Sequence, residues 1–129
     1  MQNTSPIFTA TPNLGRGFID TGNANLDGTG TVVVVLTAGA NGTRVHRIVV
    51  KAITTTTAGM VRLFLKSGSY SLYKEIPVSA IIPSATVEAF SYTLELPNED
   101  AILLPTGYTI EAATENSEWF YVFAEGADY

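Results

Sequence analysis

Few residues of this sequence have the type and spacing that catalysis requires. His46 is the single histidine, and the chain contains no cysteine. A metal centre needs several histidine, cysteine or carboxylate ligands that converge on one point. We therefore predict neither a metal site nor a thiol nucleophile, and we expect His46 to pack within a strand or to lie on the face of a sheet.

Two glutamates are the best candidates for a catalytic pair. Glu111 and Glu118 fall on neighbouring predicted strands, where paired carboxylates could hydrolyse a glycosidic bond. Nothing around them marks them as catalytic, so a solvated acidic face is the preferred interpretation. No serine stands in a G-x-S-x-G turn, and the GRG at residues 15–17 lacks the pattern of a phosphate-binding loop. We predict a protein without catalytic residues and without a cofactor.

The segment DTGNANLDGTG at residues 20–30 has the ligand spacing of a calcium-binding loop. Asn23, Asn25 and Asp27 alternate ahead of a glycine. An EF-hand loop ends with a bidentate acid at its twelfth position, and that position is Val34 here. A turn built from Asn, Asp and Gly residues is the better interpretation.

Aromatic residues could form a platform for sugar rings. The candidates are Trp119, Tyr121, Tyr92 and Tyr108, all in or beside predicted strands. Aromatic side chains in strands more often fill a core or an interface, because each one buries a large apolar area. Exposure of these rings would favour sugar binding, and their burial would favour a structural role.

The elements that position these residues are predicted to be strands. The stretch at residues 43–67 holds two runs rich in β-branched and aromatic residues around the connection TTTTAG, which is typical of a β-hairpin. A period of two predicts that His46 and Ile48 share one face of the first run, with Val50 and Ala52. Arg47 and Lys51 then lie on the other face.

Eight strand candidates follow residue 30, separated by short turns rich in Gly, Pro and Asn, and no stretch shows a helical period. This pattern predicts an all-β protein with an antiparallel β-sandwich, best fitted by an eight-stranded jelly roll. An immunoglobulin-like sandwich is the alternative. Residues 1–30 are poor in apolar periodicity and are predicted to form an extended N-terminal arm, which leaves residues 31–129 as the sandwich domain.

Composition and charge exclude several classes of function. The chain has 129 residues, 46% of them hydrophobic, which fits one globular domain. Its net charge of −5 argues against nucleic acid as a ligand. Its apolar runs are too short to span a membrane, and the N-terminal sequence lacks the features of a signal peptide. We expect a soluble protein made in the cytoplasm.

The charges are divided along the chain. All seven basic residues lie at or before Lys74, and ten of the twelve acidic residues lie from Glu75 onward. Two interpretations remain open. The two groups could pair within one sandwich, or a basic face could dock on an acidic face of a neighbouring subunit.

Several motifs resemble those of small structural proteins of tailed phages and prophages. They are LDGTGTVVVVLTAGANGTRVHRIVVKAITTTTAGMVRLFL, EIPV, SATVEAF, LLPTGYTIEAATEN and FAEGADY, which together span about residues 26–129. The resemblance implies a non-enzymatic capsid-decoration protein of the virion, made in the cytoplasm of the bacterial host. It also implies a homo-oligomer, most simply a trimer, bound to the major capsid protein on the capsid surface. The alternative is a lectin-like carbohydrate-binding module of a phage tail or fibre.

Two groups of residues are candidates for the interaction surface. The arm carries apolar residues that we expect to dock on the sandwich or on a neighbouring subunit, and the predicted hairpin carries basic residues. The candidates are Ile7, Phe8, Leu14, Phe18, Arg44, Arg47 and Lys51.

Overall fold

The computed structural model describes residues 9–129, so Ile7 and Phe8 of the predicted interaction surface lie outside the described residues. Within these residues the chain forms nine strands and one short 3₁₀ helix, Asn98–Asp100. The strands are β1 (Thr11–Ile19), β2 (Val33–Thr37), β3 (Thr43–Ala52), β4 (Gly59–Ser67), β5 (Ser69–Val78), β6 (Ser91–Glu95), β7 (Ile102–Leu104), β8 (Thr109–Thr114) and β9 (Phe120–Asp128). No helix in residues 9–129 is long and apolar enough to cross a membrane.

Two antiparallel sheets pack face to face and enclose one apolar core. The first sheet has the strand order β1-β9-β3-β6, with β7 also paired to β3, and the second has the order β2-β8-β4-β5. Both sheets contribute to the core, with Ile48 and Phe120 from the first and Leu63 and Ile110 from the second. The predicted all-β sandwich is therefore confirmed.

The number of strands differs from the predicted eight. Residues 11–19, which were assigned to the arm, form the strand β1 at the edge of the first sheet and pair with β9 along their whole length. Ile19 at the end of β1 is a core residue. Whether residues 31–129 fold without this strand stays a prediction.

Two glycines allow β1 to pack closely on β2. Gly15 and Gly17 alternate with outward-facing residues and lie over β2. A Cβ atom on Gly15 would lie 2.6 Å from Cβ of Leu36, and one on Gly17 would lie 3.0 Å from a methyl group of Val35. Because only glycine allows this approach, the GRG segment serves the packing of one sheet on the other.

The predicted hairpin at residues 43–67 is wrong. Its two strands exist, but β3 belongs to the first sheet and β4 to the second, so the threonine-rich connection crosses from one sheet to the other. The hairpin is instead β4–β5, in which Ser67 pairs with Ser69 around Gly68. Gly68 has a φ of +79°, a conformation that glycine adopts without strain.

A β-bulge in β3 changes which residues of that strand share a face, so the predicted faces are wrong in part. The register with β9 shifts between Val45 and Arg47. As a result Val45 and Ile48 are both buried, although they are three residues apart, and His46 is exposed. Grouping His46 with Ile48 on one face is therefore wrong, because a strict period of two does not survive an inserted residue.

The segment between β1 and β2 packs on part of the outward side of the second sheet. The side-chain amide of Asn23 donates hydrogen bonds of 2.9 Å to the carbonyl groups of Thr29 and Thr31, which shapes the turn. Gly28 lies against the ring of Tyr70 on β5. Phe64, on the side of β4 opposite the core residue Leu63, is fully buried. The segment covers only part of this side, since Leu72 and Tyr73 of β5 remain exposed.

Candidate interaction surface

The outward side of the first sheet is built from three rows of cross-strand neighbours. Residues directly opposite each other in an antiparallel pair point to the same side. The register places Phe18, Tyr121 and Lys51 in one row, Arg16, Phe123 and Val49 in the next, and Leu14, Glu125 and Arg47 in the third. We call these nine residues the outward face.

Aromatic rings form the centre of this surface. The ring centroids of Phe18 and Tyr121 are 5.1 Å apart, and Tyr121 stacks on Phe123 at 6.0 Å. Trp119, just before β9, meets Phe18 edge-on at 6.0 Å and remains 50% exposed. The guanidinium group of Arg16 lies 5.9 Å from the centroid of Tyr121. Such half-buried aromatic groups beside an arginine are typical of the centres of protein interfaces.

Ion pairs border the aromatic centre. Arg47 contacts Glu95 at 3.0 Å and Glu125 at 3.6 Å. Lys51 contacts Glu88 at 2.9 Å. These side chains are at least one-third exposed, so each pair adds little to the stability of the fold. Within residues 9–129, Arg16 forms no such pair.

Part of the charge division along the chain corresponds to pairing within the sandwich. The other two ion pairs join Arg62 to Glu75 at 2.9 Å and to Glu115 at 3.7 Å. Every pair in the described part of the chain thus connects a basic residue of the first half to an acidic residue from position 75 onward. This agrees with the first of the two interpretations left open above.

A groove runs across one end of the outward face. Its volume is about 400 Å³. Residues of β1, β3 and β9 line it, namely Pro12, Asn13, Leu14, His46, Val49, Phe123, Glu125 and Gly126. Leu14 is 68% exposed at its edge. The groove is thus mainly apolar, with one carboxylate that already pairs with Arg47.

The structure brings together five of the predicted interaction residues. Leu14, Phe18, Arg47 and Lys51 belong to the outward face. Arg44 points to the same side further along β3, where it donates a hydrogen bond of 3.2 Å to a backbone carbonyl group of the 3₁₀ helix. In a regular strand Arg44 and Arg47 would face opposite sides, and the bulge between them gives them the same side. Ile7 and Phe8 lie outside the described residues.

Sequence reasoning missed five residues of this surface. Arg16, Val49, Phe123 and Glu125 were not predicted to belong to it, and Tyr121 was considered only as part of a sugar platform. A signal existed in β9, where the buried residues Phe120 and Val122 alternate with aromatic ones. Because every second residue of this part of β9 is buried, the aromatic residues between them point outward.

The residues considered for chemistry have structural contacts instead. Glu111 is buried and accepts hydrogen bonds from the hydroxyl groups of Thr109, at 2.7 Å, and Tyr70, at 3.3 Å. Glu118 accepts two bonds from Thr57, its N–H at 2.9 Å and its hydroxyl at 2.7 Å. The described residues contain no group of three or more side chains that could hold a metal ion.

Asp128 ties the ends of three strands beside the groove. Its carboxylate accepts hydrogen bonds from the hydroxyl of Thr43, at 2.6 Å, and the amide of Asn13, at 2.8 Å. Its backbone carbonyl accepts a third, at 2.6 Å, from the N–H of Ala10. The bonds from Thr43 and Asn13 hold the pKa of the Asp128 carboxyl below its ordinary value of 3.8, because they favour the ionised form.

No known family model matches this sequence, and no curated protein matches it significantly.

Proposed function

We propose that this protein is a non-enzymatic structural component of a tailed-phage virion, namely a capsid-decoration protein. In this proposal it is made in the cytoplasm of the bacterial host and binds the major capsid protein through the outward face. The observation that carries the proposal is the combination of an aromatic centre and a rim of charges on the outward side of the first sheet. The resemblance of the strand and turn motifs to phage structural proteins gives the class of partner.

We also propose that the sandwich is a jelly roll. β6 and β7 pair with successive parts of the same side of β3, and only the 3₁₀ helix separates them. Counting β6 and β7 as one interrupted strand gives eight strands, with the orders 1-8-3-6 and 2-7-4-5 in the two sheets. That order is the one expected for two interleaved Greek keys.

The outward face suits attachment to a large partner. Aromatic and arginine side chains at the centre of an interface provide most of the binding energy, and a charged rim adds specificity and sets orientation. Three strands hold these side chains, so little conformational entropy is lost on binding. A homotrimer is part of this proposal, since closed cyclic symmetry lets identical subunits share one set of contacts.

Binding to capsids that lack the protein tests the attachment. Phe123→Ala removes the central ring of the outward face, and Leu72→Ala removes a partly exposed apolar side chain from β5 of the second sheet as the matched control. We expect the first variant to lose at least about thirtyfold in capsid affinity, because a hot-spot residue contributes about 2 kcal/mol or more. Equal binding of both variants in a co-sedimentation assay would contradict the proposal.

A second candidate function is supported by the exposure of Trp119. Its ring is 50% exposed beside Phe18, as a sugar-stacking platform of a carbohydrate-binding module on a tail or fibre would require. Trp119 is the only tryptophan in the chain, so its fluorescence reports directly on this site. A saturable change in emission on adding host-surface glycans, absent with Trp119→Ala, would favour this second function over capsid decoration.

A further inference from the structure

The GRG segment of β1 presents one charged side chain on the outward face. Gly15 and Gly17 pack so closely on β2 that a Cβ atom on either would lie 3.0 Å or less from an atom of Val35. Arg16 lies between them and is exposed, with its guanidinium group 5.9 Å from the centroid of Tyr121. The backbone on both sides of Arg16 is therefore fixed before any partner binds, which lowers the entropic cost of binding through this residue.

Arg16 has no carboxylate partner in this chain. The other basic residues of the outward face, Arg47 and Lys51, each contact at least one glutamate. Among residues 9–129 no such contact forms at Arg16, and the eight residues before Thr9, MQNTSPIF, contain neither Asp nor Glu. A partner that covers the outward face would remove water from this guanidinium group, and an unpaired charge without water is costly. A carboxylate on the partner would offset that cost through charge-assisted hydrogen bonds, which a guanidinium group forms in a bidentate geometry.

The groove described above lies next to Arg16. Phe123 is the cross-strand neighbour of Arg16 and also lines the groove. Leu14 is two residues from Arg16 on the same side of β1, which places it about 7 Å away along the strand, and it forms an exposed edge of the groove. An apolar side chain in the groove would shield Leu14, Val49 and Phe123 from water. One segment of a partner can therefore reach both the guanidinium group and the groove.

We propose that the outward face recognises a partner segment that carries a carboxylate for Arg16 and, about 7 Å away, an apolar side chain for the groove. Alternate residues of an extended chain have this spacing. This assignment rests on the proposed function, because it takes the partner to be a protein bound through the outward face. It adds the chemistry of the bound segment, and it makes Arg16 the residue that determines specificity.

Binding to capsids that lack the protein tests the role of Arg16. Arg16→Gln removes the charge, and Lys66→Gln is the matched control because the ammonium group of Lys66 lies 4.8 Å from the centroid of Tyr70 on the second sheet. We expect Arg16→Gln to weaken binding at least about tenfold, the scale of one charge-assisted hydrogen bond, and Lys66→Gln to leave it unchanged. An equal loss with both variants would show that only the overall charge matters and would overturn the role of Arg16.

Phe123→Ala in the same assay separates this inference from the proposed function. Weaker binding of Phe123→Ala together with unchanged binding of Arg16→Gln would overturn the role of Arg16 and leave the proposed function standing. Unchanged binding of both variants would overturn both.

The groove has its own pair of variants. Leu14→Ser removes an apolar edge of the groove, and Leu26→Ser removes an apolar side chain from the segment between β1 and β2 as the control. Both leucines are more than half exposed, so both substitutions are compatible with folding. We expect a loss of about fivefold in capsid affinity for Leu14→Ser alone, because the partner's apolar side chain loses part of its contact area. Equal binding of the two variants would overturn the assignment of the groove.

A zero-length cross-link identifies the partner group directly. Arg16→Lys keeps the positive charge and supplies an amine that a carbodiimide joins to a carboxylate in contact with it. We expect mass spectrometry to find this variant joined at position 16 to an Asp or Glu of the major capsid protein. Cross-links from position 16 to a second copy of this chain alone, or retained binding without any cross-link at this position, would refute the proposed recognition.

Discussion

Phe18 of β1 and Tyr121 of β9 are direct cross-strand neighbours, and their ring centroids lie 5.1 Å apart. This pair joins a segment predicted as an arm to the last strand of the sandwich. It also forms the middle of the aromatic centre, between Trp119 and Phe123. The pairing of β1 with β9 therefore shapes the surface on which the proposed function depends.

The close approach of β1 to β2 predicts a specific sensitivity at Gly15. Gly15→Val should destabilise the protein by about 1–3 kcal/mol, because its side chain would overlap Leu36 and force β1 away. Arg16→Val places the same side chain on the outward face and serves as the control. Urea unfolding measures both free energies, and an unaffected Gly15→Val variant would show that β1 does not pack on β2 in this way.

The hydrogen bonds to Asp128 predict a pH dependence. A carboxyl whose pKa is lowered in the folded state stabilises the fold above its unfolded pKa and loses that contribution as the pH falls through the folded value. Stability should therefore decline below about pH 4, near the ordinary value of 3.8.

Asp128→Asn removes this titration, so the variant should be the less stable protein at pH 7 and the gap should narrow on acidification. Urea unfolding between pH 2 and pH 7 would check this, because the range extends about two pH units below the ordinary pKa of an aspartate carboxyl. A gap that stays constant would show that the contacts of Asp128 do not depend on its charge.

Two arginines are expected to differ in how much they contribute to the free energy of unfolding. Arg62 contacts Glu75 and Glu115 and its side chain is 9% exposed, whereas the side chain of Arg47 is 42% exposed. Arg62→Ala should cost about 1–3 kcal/mol, because it removes charged hydrogen bonds and leaves space in a packed region. Arg47→Ala should cost less than about 1 kcal/mol. Equal losses in chemical denaturation would mean that burial does not set the strength of these ion pairs.

Assembly gives a further prediction. If the proposed homotrimer forms in solution, light scattering should give a mass of three chains of 13.8 kDa each. A mass of one chain at every concentration would restrict assembly to the capsid surface or exclude it.

The strands and the sandwich could be predicted from the sequence because alternating burial leaves a period of two in the chain. The sheet to which each strand belongs could not be. A threonine-rich connection such as that between β3 and β4 suits a hairpin or a crossover equally well, since both need only a few extended residues. The core residues Ile48 and Leu63 belong to different sheets, but their local sequence patterns would look the same if both lay in one sheet.

The interaction surface was predictable in part for similar reasons. Leu14 and Phe18 stand out as apolar residues in a polar segment, and Arg47 and Lys51 as basic residues in a strand. The bulge at His46 is invisible in the sequence, because an inserted residue has no characteristic side chain there. The spacing of Gly15 and Gly17 ahead of Ile19 was a usable signal, since alternate glycines in a strand indicate close approach of another backbone.

The most direct test of the central claim is cross-linking mass spectrometry of purified virions with a lysine-reactive reagent. Lys51 lies on the outward face, while Lys66 and Lys74 lie on β4 and β5 of the second sheet. We predict that the protein is present in many copies and that Lys51 cross-links to the major capsid protein while Lys66 and Lys74 do not. Absence of the protein from virions, or cross-links to the capsid through Lys66 and Lys74 alone, would contradict the account.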